Sequence, residues 1–183
     1  MDIMGRGGSF NFREFEQMAK NLEKLAKEKD KLFQDAAKEL ASRLLALVIP
    51  QTPVGDYPSG SGMVGGTLRR GWVSATQEEA FTNRKREPGA KDIQEFLSTI
   101  QIECKGDFYT IEVADPVDYA SYVESGHRQK PGRYVPAIGK QLKKSWVEGK
   151  LMMKESVQDL QKIAPKVLEK RIEKFLRECM DGR

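Results

Sequence analysis

The chain has 183 residues, enough for one domain, or one domain with an appended helical arm, that buries a hydrophobic core. Hydrophobic residues make up 39% and charged residues 32% of the sequence, a balance that argues against disorder of the whole chain. The 31 basic residues are nearly offset by 27 acidic ones, so the net charge of +4 does not by itself imply a nucleic-acid partner.

The cysteines and the apolar runs indicate where the chain is made. Cys104 and Cys179 lack the spacing of a metal site, and we expect both to be reduced and to lie in or near the core. The longest apolar run, residues 44–49, is much shorter than the ~20 residues of a membrane-spanning helix. The N-terminal segment lacks the pattern of a secretory signal, so we expect synthesis in the cytoplasm and no membrane partner.

Residues 11–48 carry a helical pattern, with apolar residues recurring every three or four positions. Asn11 and Glu14 form a capping-box pattern at its start. The charged stretch 27–31 interrupts the apolar stripe, so we expect two helices, or one bent helix, that end before Pro50. A coiled coil would need ~3 to 4 sustained heptads, which are not present, and an amphipathic helix lying on a sheet is the favoured interpretation.

Residues 50–66 contain three prolines and five glycines, which no regular element tolerates. We expect a mobile Gly/Pro loop that becomes ordered when a partner docks. A glycine-rich loop can also cradle phosphate, but this one has neither the Gly-Lys-Ser/Thr end of a P-loop nor a G-x-G-x-x-G pattern. Phosphate binding is therefore disfavoured.

Residues 67–114 are predicted to form antiparallel strands. Two runs with alternating apolar residues flank the glycine-containing turn at residues 105–107, a pattern typical of a hairpin. The charged residues 77–91 are interpreted as a solvated excursion. A sheet of three or four strands covered by N-terminal and C-terminal amphipathic helices would be an α+β fold. The predicted strands are Thr67–Ala75, Phe96–Cys104 and Phe108–Ala114.

Residues 115–149 are predicted to form a short helix followed by a basic loop. Tyr119 and Tyr122 share one face of the short helix, and Gly126 is placed to end it. Proline and glycine then punctuate residues 128–144, which contain six basic and no acidic residues. The aromatic residues on either side are interpreted as anchors for this loop.

Residues 150–180 again show a helical period, and Trp146 is taken as the residue that leads into this final helical segment. Pro165 interrupts the period, and a proline inside a helix removes a hydrogen bond and clashes with the preceding turn. We therefore expect two C-terminal helices in tandem.

Several pieces of the chain resemble one family of phage proteins. The order Tyr-Ala-x-Tyr-Val-Glu, a small residue and Gly-His-Arg ends at Arg128, and Trp-Val-Glu-Gly follows at residues 146–149. Upstream, residues 52–54 and 67–72 match the two halves of a Thr-Pro-Val and Leu-Arg-x-x-Trp signature, which residues 55–66 interrupt. These motifs resemble the tail-completion or neck (head-tail joining) proteins of tailed bacteriophages, a family also found in contractile tails and phage-tail-like bacteriocins (tailocins).

The resemblance implies a virion structural protein without a cofactor. It would form a ring, most often a hexamer, in the neck or collar at the head-proximal end of the tail, and would cap the tail tube or join it to the head. The implied partners are copies of itself, neighbouring tail-tube, tail-terminator or connector proteins, and DNA in passing. We expect synthesis in the bacterial cytoplasm and assembly into the particle. The candidate interface or channel-facing residues are Tyr119, Tyr122, His127, Arg128, Lys130, Arg133, Tyr134, Lys140, Lys143, Lys144 and Trp146.

Catalysis has little support in the sequence. His127 has no serine or cysteine at motif spacing, so a local or interface role is favoured over a catalytic base. Asp115, Asp118 and Glu124 were weighed as a magnesium site, but a turn start, a helix N-cap and a helix residue are the favoured interpretations. We therefore predict no enzymatic activity, no metal and no cofactor.

The alternative function is a basic nucleic-acid-binding module that acts through residues 128–144. Six basic side chains could neutralise phosphates. Aromatic interleaving is limited to Tyr134, and no recognised binding motif accompanies it. Strong binding to free DNA by a single subunit would distinguish this function from that of a ring subunit.

Overall fold

The structure is a computed structural model that describes residues 12–57, 65–82, 87–136 and 139–180. The predicted cap at Asn11 and residues 58–64 of the predicted Gly/Pro loop lie outside the described residues. The mixture of helices and short antiparallel strands confirms the predicted α+β class. The helices are α1 (Phe12–Gln51), α2 (Thr67–Gly71), α3 (Gln77–Thr82), α4 (Ala90–Thr99), α5 (Ala120–Ser125) and α6 (Met152–Met180). The strands are β1 (Glu103–Lys105), β2 (Phe108–Thr110), β3 (Gly126–Arg128), β4 (Tyr134–Val135), β5 (Lys140–Gln141) and β6 (Trp146–Glu148).

The larger of two compact units, Ala37–Pro165, contains a hydrophobic core formed mainly by helices. α1 contributes Ala41, Leu45 and Val48, whose spacing of four and three residues places them on one helical face. Leu45 and Val48 are fully buried. The other buried members of this core are Ile49, Leu68, Trp72, Ala80, Ile93, Leu97, Val117 and Met152.

The first predicted strand, Thr67–Ala75, is wrong, because its first five residues form helix α2. Leu68 and Trp72 nevertheless share a buried side, as the strand prediction also required. A spacing of four residues places two side chains on the same side of a strand and of a helix alike. The pattern in this short segment therefore could not distinguish the two elements.

The second predicted strand, Phe96–Cys104, is wrong over most of its length, because α4 continues to Thr99. Ile93 and Leu97 are buried with the spacing of a helix. The carboxylate of Asp92 accepts a hydrogen bond from the backbone N–H of Gly89 at 2.6 Å and thereby caps the start of α4. Helix α3 and the first two residues of α4 thus occupy part of the predicted solvated excursion, residues 77–91, of which residues 83–86 lie outside the described residues.

The predicted hairpin around residues 105–107 is confirmed at its turn. β1 and β2 pair antiparallel, with Lys105 opposite Phe108. Gly106 adopts a left-handed conformation with φ of 61°, which glycine adopts without steric cost. The strands are shorter than predicted, and within the described residues they pair as three separate two-stranded sheets, which corrects the expectation of one sheet of three or four strands.

The two long helices are each continuous, which corrects the expected interruptions. α1 runs through the charged stretch, where Lys27 forms a 2.8 Å ion pair with Glu23 one turn earlier, and it includes Pro50 in its last turn. α6 begins six residues after Trp146 and contains Pro165. The residues one turn before Pro165 are exposed, so water can satisfy the carbonyl group left without its helical partner. No helix in the described ranges is both long and apolar enough to cross a membrane.

The smaller unit consists, in its described part, of α1 up to Ala36 and α6 from residue 166. The two helices are antiparallel: the side chain of Asn21 donates to the carbonyl of Met180 at 3.2 Å. Cys179 is buried in this unit, whereas Cys104 is exposed on β1. The prediction that both cysteines lie in or near the core is therefore wrong for Cys104, and neither cysteine forms a disulfide with another described residue.

Candidate assembly interface

The segment predicted as a basic loop forms a long β-hairpin, residues 126–148, which corrects that prediction. β3 and β6 pair at its base, with Arg128 opposite Trp146, and β4 pairs with β5 nearer its tip. Between these pairs, the backbone N–H of Gln129 donates to the carbonyl of Ser145 at 3.0 Å. Hydrogen bonds between the two arms of the hairpin satisfy backbone N–H and carbonyl groups. The side chains do not alternate regularly between apolar and polar, so the sequence pattern did not predict strands here.

Two glycines allow the chain to approach itself closely at the base of the hairpin. Gly126 has φ of 83°, and a Cβ at this position would lie 2.5 Å from the carbonyl oxygen of Val147. A Cβ on Gly149 would lie 2.7 Å from the backbone nitrogen of Gly126. The predicted end of the short helix at Gly126 is confirmed, since α5 ends at Ser125. The same glycine also begins the hairpin.

Glu124 joins the hairpin base to α6. Its carboxylate accepts hydrogen bonds from the backbone N–H groups of Met153 and Lys154, both at 3.0 Å. The carbonyl of Glu124 accepts a further hydrogen bond from the N–H of Leu151 at 3.1 Å. The carboxylate therefore satisfies first-turn N–H groups that have no partner within the helix and lies near the positive end of the helix dipole.

Six cationic side chains extend from the hairpin, and all six are exposed. In the described part of the chain none of them forms a salt bridge with a carboxylate. Like charges distributed over two neighbouring strands create a positive surface that attracts an anionic partner. The six are Arg128, Lys130, Arg133, Lys140, Lys143 and Lys144.

Exposed aromatic side chains lie among these cations. Tyr134 is 56% and Trp146 46% exposed, and Trp146 stands directly opposite Arg128 in the register of β3 and β6. Side chains at such paired positions are close enough to interact, and an arginine beside an indole ring is a favourable pair. Tyr122, 59% exposed, contacts the ring of His127 edge-on at 5.8 Å between ring centroids. Exposed aromatic residues and arginine are the types enriched at protein interfaces.

Two predicted interface residues lie deeper than the others. Tyr119 is half-buried, and its burial, together with the neighbouring Tyr57 and Asp115, raises the pKa of its hydroxyl. His127 is also half-buried, and its Nδ1 is a buried atom without a hydrogen-bond partner among the described residues. Both side chains therefore help to hold the hairpin in place and extend less from its surface than the others do.

An open groove of about 770 Å³ lies near the tip of the hairpin, lined by Gln129, Tyr134, Gly139, Lys140, Gln141, Leu142, Lys143 and Lys144.

The two halves of the interrupted signature meet in the larger unit. The indole N–H of Trp72 donates to the hydroxyl of Thr52 at 2.7 Å, and that hydroxyl donates to the carbonyl of Val48 at 2.7 Å. The guanidinium of Arg69 donates to the carbonyl of Thr52 at 2.6 Å and pairs with Glu87. These contacts join the start and the end of the segment that separates the two halves. The signature can therefore act as a clamp even though residues 55–66 interrupt it.

A second set of buried polar groups lies beside this clamp. Arg70 donates to the carbonyl of Ala80 and to the hydroxyl of Thr67, both at 3.1 Å. Asp115 accepts a hydrogen bond from the N–H of Val117 at 3.0 Å through Oδ1, which confirms the predicted turn start. Its Oδ2 is buried and has no partner in the described residues. Burial raises the pKa of this carboxyl to about 7.

The three acidic residues that were weighed as a magnesium site are each engaged separately. Asp115 forms its turn, and Glu124 caps α6. Asp118, predicted as an N-cap, instead exchanges hydrogen bonds with Gln77 at 2.6 and 3.0 Å, and α5 has no side-chain cap. No group of three or more histidine, cysteine, aspartate or glutamate side chains in the described residues could hold a metal ion.

The α+β body carries an exposed hairpin with cations and aromatic rings, a surface suited to protein contacts. Comparison with known protein families places residues 16–126 in the family described as "Bacteriophage HK97-gp10, putative tail-component". The match covers more than half of the chain, and the chain belongs to this HK97-gp10-like family. It is therefore a phage tail-related structural component that contacts other phage proteins. No curated protein and no solved structure matches it.

The matched residues contain both halves of the clamp and helix α5. The match ends at Gly126, where the hairpin begins. The family match therefore includes only the first residue of the hairpin.

Proposed function

We propose that the chain is a ring subunit at the head-proximal end of a phage tail or phage-tail-like particle, where it completes the tail and caps the tail tube or joins it to the head. Family membership supports the tail assignment. The hairpin of residues 126–148 supports the ring arrangement, because it extends from a closely packed base. Such an element can contact the next subunit, and the same contact can repeat around a closed circle. This hairpin is the observation that carries the proposal.

The charges of the hairpin fit two surroundings within such a ring. One is an acidic surface of the neighbouring subunit. The other is the channel, where cations would face DNA in passing. Complementary charge steers association and fixes register more than it raises affinity. The partners would be copies of this chain and the adjacent tail-tube, tail-terminator or connector protein.

The test is a triple charge reversal, Arg128→Glu, Arg133→Glu and Lys143→Glu. All three side chains are exposed and lack salt bridges to described carboxylates, so the subunit should fold normally. Its incorporation into particles should fall by about tenfold or more, because like charges would then meet across the contact. Immunoblots of purified particles, with circular dichroism of the free subunit, measure both quantities.

A matched control reverses three exposed cations away from the hairpin: Lys91→Glu, Lys105→Glu and Lys154→Glu. Lys91 and Lys154 lie in the first turns of α4 and α6, where negative charge is favourable. The control should assemble like the wild type. Normal incorporation of the hairpin variant, or an equal loss in the control, would contradict the proposed contact.

A nucleic-acid-binding module remains the second candidate, favoured by one observation. The structure adds the exposed Trp146, beside Arg128, to the basic surface, and exposed aromatic rings stack with bases in single-stranded nucleic acids. A ring subunit should bind free DNA weakly when it is not assembled. Fluorescence anisotropy that gives a Kd below about 1 µM for the isolated subunit at physiological salt would favour the module instead.

A further inference from the structure

The two-helix arm, defined as residues 12–36 of α1 and 166–180 of α6, uses one side of each helix for contact within the chain. The helices are antiparallel, since Asn21 bonds to Met180 and Asp35 lies 3.9 Å from Arg171. The residues with reduced exposure mark the contact line of each helix. They are Asn21, Leu25, Leu32, Asp35 and Ala36 on α1, and Val167, Leu168, Arg171, Phe175 and Cys179 on α6.

Each helix of the arm also carries an exposed stripe that is mainly apolar, with the exposed Lys29 in the α1 stripe and the exposed Glu169 in the α6 stripe. Successive residues of a helix are rotated by ~100° about its axis. When each helix is viewed from its own N-terminus, its stripe lies roughly a quarter turn from its contact line, and the direction of this rotation is the same for both helices. Because the helices are antiparallel, an equal sense of rotation brings the two stripes to the same side of the arm. The apolar residues of the stripes are Phe15, Met18 and Leu22, exposed by 63%, 52% and 51%, and Ile172, Leu176 and Met180, exposed by 41%, 42% and 48%.

The outer edges of this apolar face carry opposite charges. Beyond the α1 stripe lie Glu16, Glu23 and Asp30, spaced by seven residues and all exposed. Glu23 also pairs with Lys27 of the same helix at 2.8 Å, and this pair is exposed. Beyond the α6 stripe lie the exposed Lys166, Lys170 and Arg177, with Glu173 among them. The arm therefore has an acidic edge and a predominantly basic edge on either side of one apolar face.

We infer that this face binds the same face of a second copy of the chain and forms a four-helix bundle. A two-fold axis parallel to the helices would place α1 of each copy over α6 of the other and bring acidic edges against basic edges. A two-fold axis perpendicular to the helices and parallel to the apolar face would place the two acidic edges together, and repulsion between like charges disfavours this arrangement. The charge pattern thus selects both the occupant and its orientation.

A cation within the α1 stripe supports the same arrangement. Lys29 lies at the level of Glu173, as judged from the contact of Lys24 with the carbonyl of Glu178, which fixes the relative height of the helices. An axis parallel to the helices keeps these levels, so Lys29 of one copy meets the acidic side chain at position 173 of the other. Four antiparallel neighbours around an apolar centre with charged edges are the usual form of such a bundle.

The first test measures self-association of the full chain by sedimentation velocity in a background of Arg128→Glu, Arg133→Glu and Lys143→Glu, which removes the proposed hairpin contact. Leu22→Glu places a charge in the apolar face at an exposed site and should weaken the association by about tenfold or more. Phe81→Glu is the matched control, since Phe81 is 47% exposed on α3, outside the arm. Reversal of Glu23 and Asp30 to lysine should also weaken association, and additional reversal of Lys170 and Arg177 to glutamate should restore it.

The second test distinguishes the two orientations by disulfide formation in a Cys104→Ser background. A mixture of one chain with Leu22→Cys and another with Met180→Cys should form the mixed disulfide more readily than either chain forms its own dimer. Predominant Leu22→Cys homodimers would overturn the proposed orientation. Equal association with and without Leu22→Glu in the first test, or association that appears only after removal of residues 1–11, would overturn the assignment of this face to a second copy.

Discussion

A single hydroxyl group connects the buried indole of Trp72 to the end of α1. Thr52→Val would leave the indole N–H, now 2.7 Å from the hydroxyl, without an acceptor in a buried site. We expect the free energy of unfolding to fall by about 1–3 kcal/mol, the usual cost of an unsatisfied buried donor. Thr52→Ser keeps the hydroxyl and should cost less than about 1 kcal/mol. Urea denaturation of both variants checks the difference, and equal losses would show that the hydrogen bond does not matter.

The buried carboxyl of Asp115 should make stability depend on pH. Its pKa is raised from 3.8 to about 7 by burial, so between these values the folded chain binds a proton that the unfolded chain has released. The free energy of unfolding should therefore decrease as the pH rises through this window and level off above it. In Asp115→Asn this dependence should disappear. The free energy of unfolding of the variant minus that of the wild type should therefore be about 2 kcal/mol higher at pH 8 than at pH 5.

Denaturation of the wild type and Asp115→Asn at the two pH values measures this term directly. Arg70 and Tyr119 are the other perturbed groups nearby, and both remain present in the variant. An unchanged slope in the variant would assign the pH dependence to groups other than Asp115.

Residue roles were predictable where the partner is close in sequence. The turn at Asp115 and the helix end at Gly126 follow from local backbone rules, and the structure confirms both. Glu124 and Thr52 were not assigned their roles, because their partners lie 29 and 20 residues away. No periodicity links such positions, so only the folded chain brings them together.

At the scale of elements, the hairpin depends on the close approach at its base. Gly126→Ala would combine an unfavourable φ of 83° with a Cβ 2.5 Å from the carbonyl of Val147. Gly132 is a matched control, since it has φ of 82° and open space around its Cβ position. Both substitutions should cost about 1–2 kcal/mol from backbone strain, but only Gly126→Ala should cost a further ~2 kcal/mol from the clash.

Hydrogen exchange of the β3 and β6 amides is the measurement that separates these contributions. Gly126→Ala should accelerate exchange in both strands, whereas Gly132→Ala should affect only residues nearer the tip. Similar exchange in the two variants would mean that the base tolerates a side chain and that the strain alone determines the cost.

Elements were predicted best where a single period extends over many residues. The helical pattern predicted the existence of α1 and α6, but the interruptions expected at the charged stretch and at Pro165 are absent, because both helices are continuous there. Residues 67–75 and 96–104 were predicted as strands because apolar residues four positions apart lie on one side of a strand and of a helix alike. The strands of the hairpin contain two or three residues each, too few for any period to show.

At the scale of the whole molecule, the resemblance and the composition indicated the α+β class and the phage tail family, and the structure and the family match confirm both. The interface residues remain a prediction. Most of them extend from one hairpin, but exposure alone does not determine which partner they meet. An interface is a property of two surfaces, and a single sequence specifies only one of them.

The stoichiometry of the ring is the remaining prediction at this scale. With the arm blocked by Leu22→Glu, contacts through the hairpin should assemble six copies of the 20.7 kDa chain, a mass of about 124 kDa. Because the proposed contact would pair cations with an acidic surface, the hexamer should dissociate as salt rises from about 0.05 to 0.5 M, where screening shortens the reach of exposed charges. Adding the triple reversal at Arg128, Arg133 and Lys143 should leave monomers at either salt concentration, whereas the Lys91, Lys105 and Lys154 control should still form rings. Native mass spectrometry measures the masses directly, and a hexamer in the triple variant, or a wild-type hairpin that gives only monomers, would contradict a ring closed through this element.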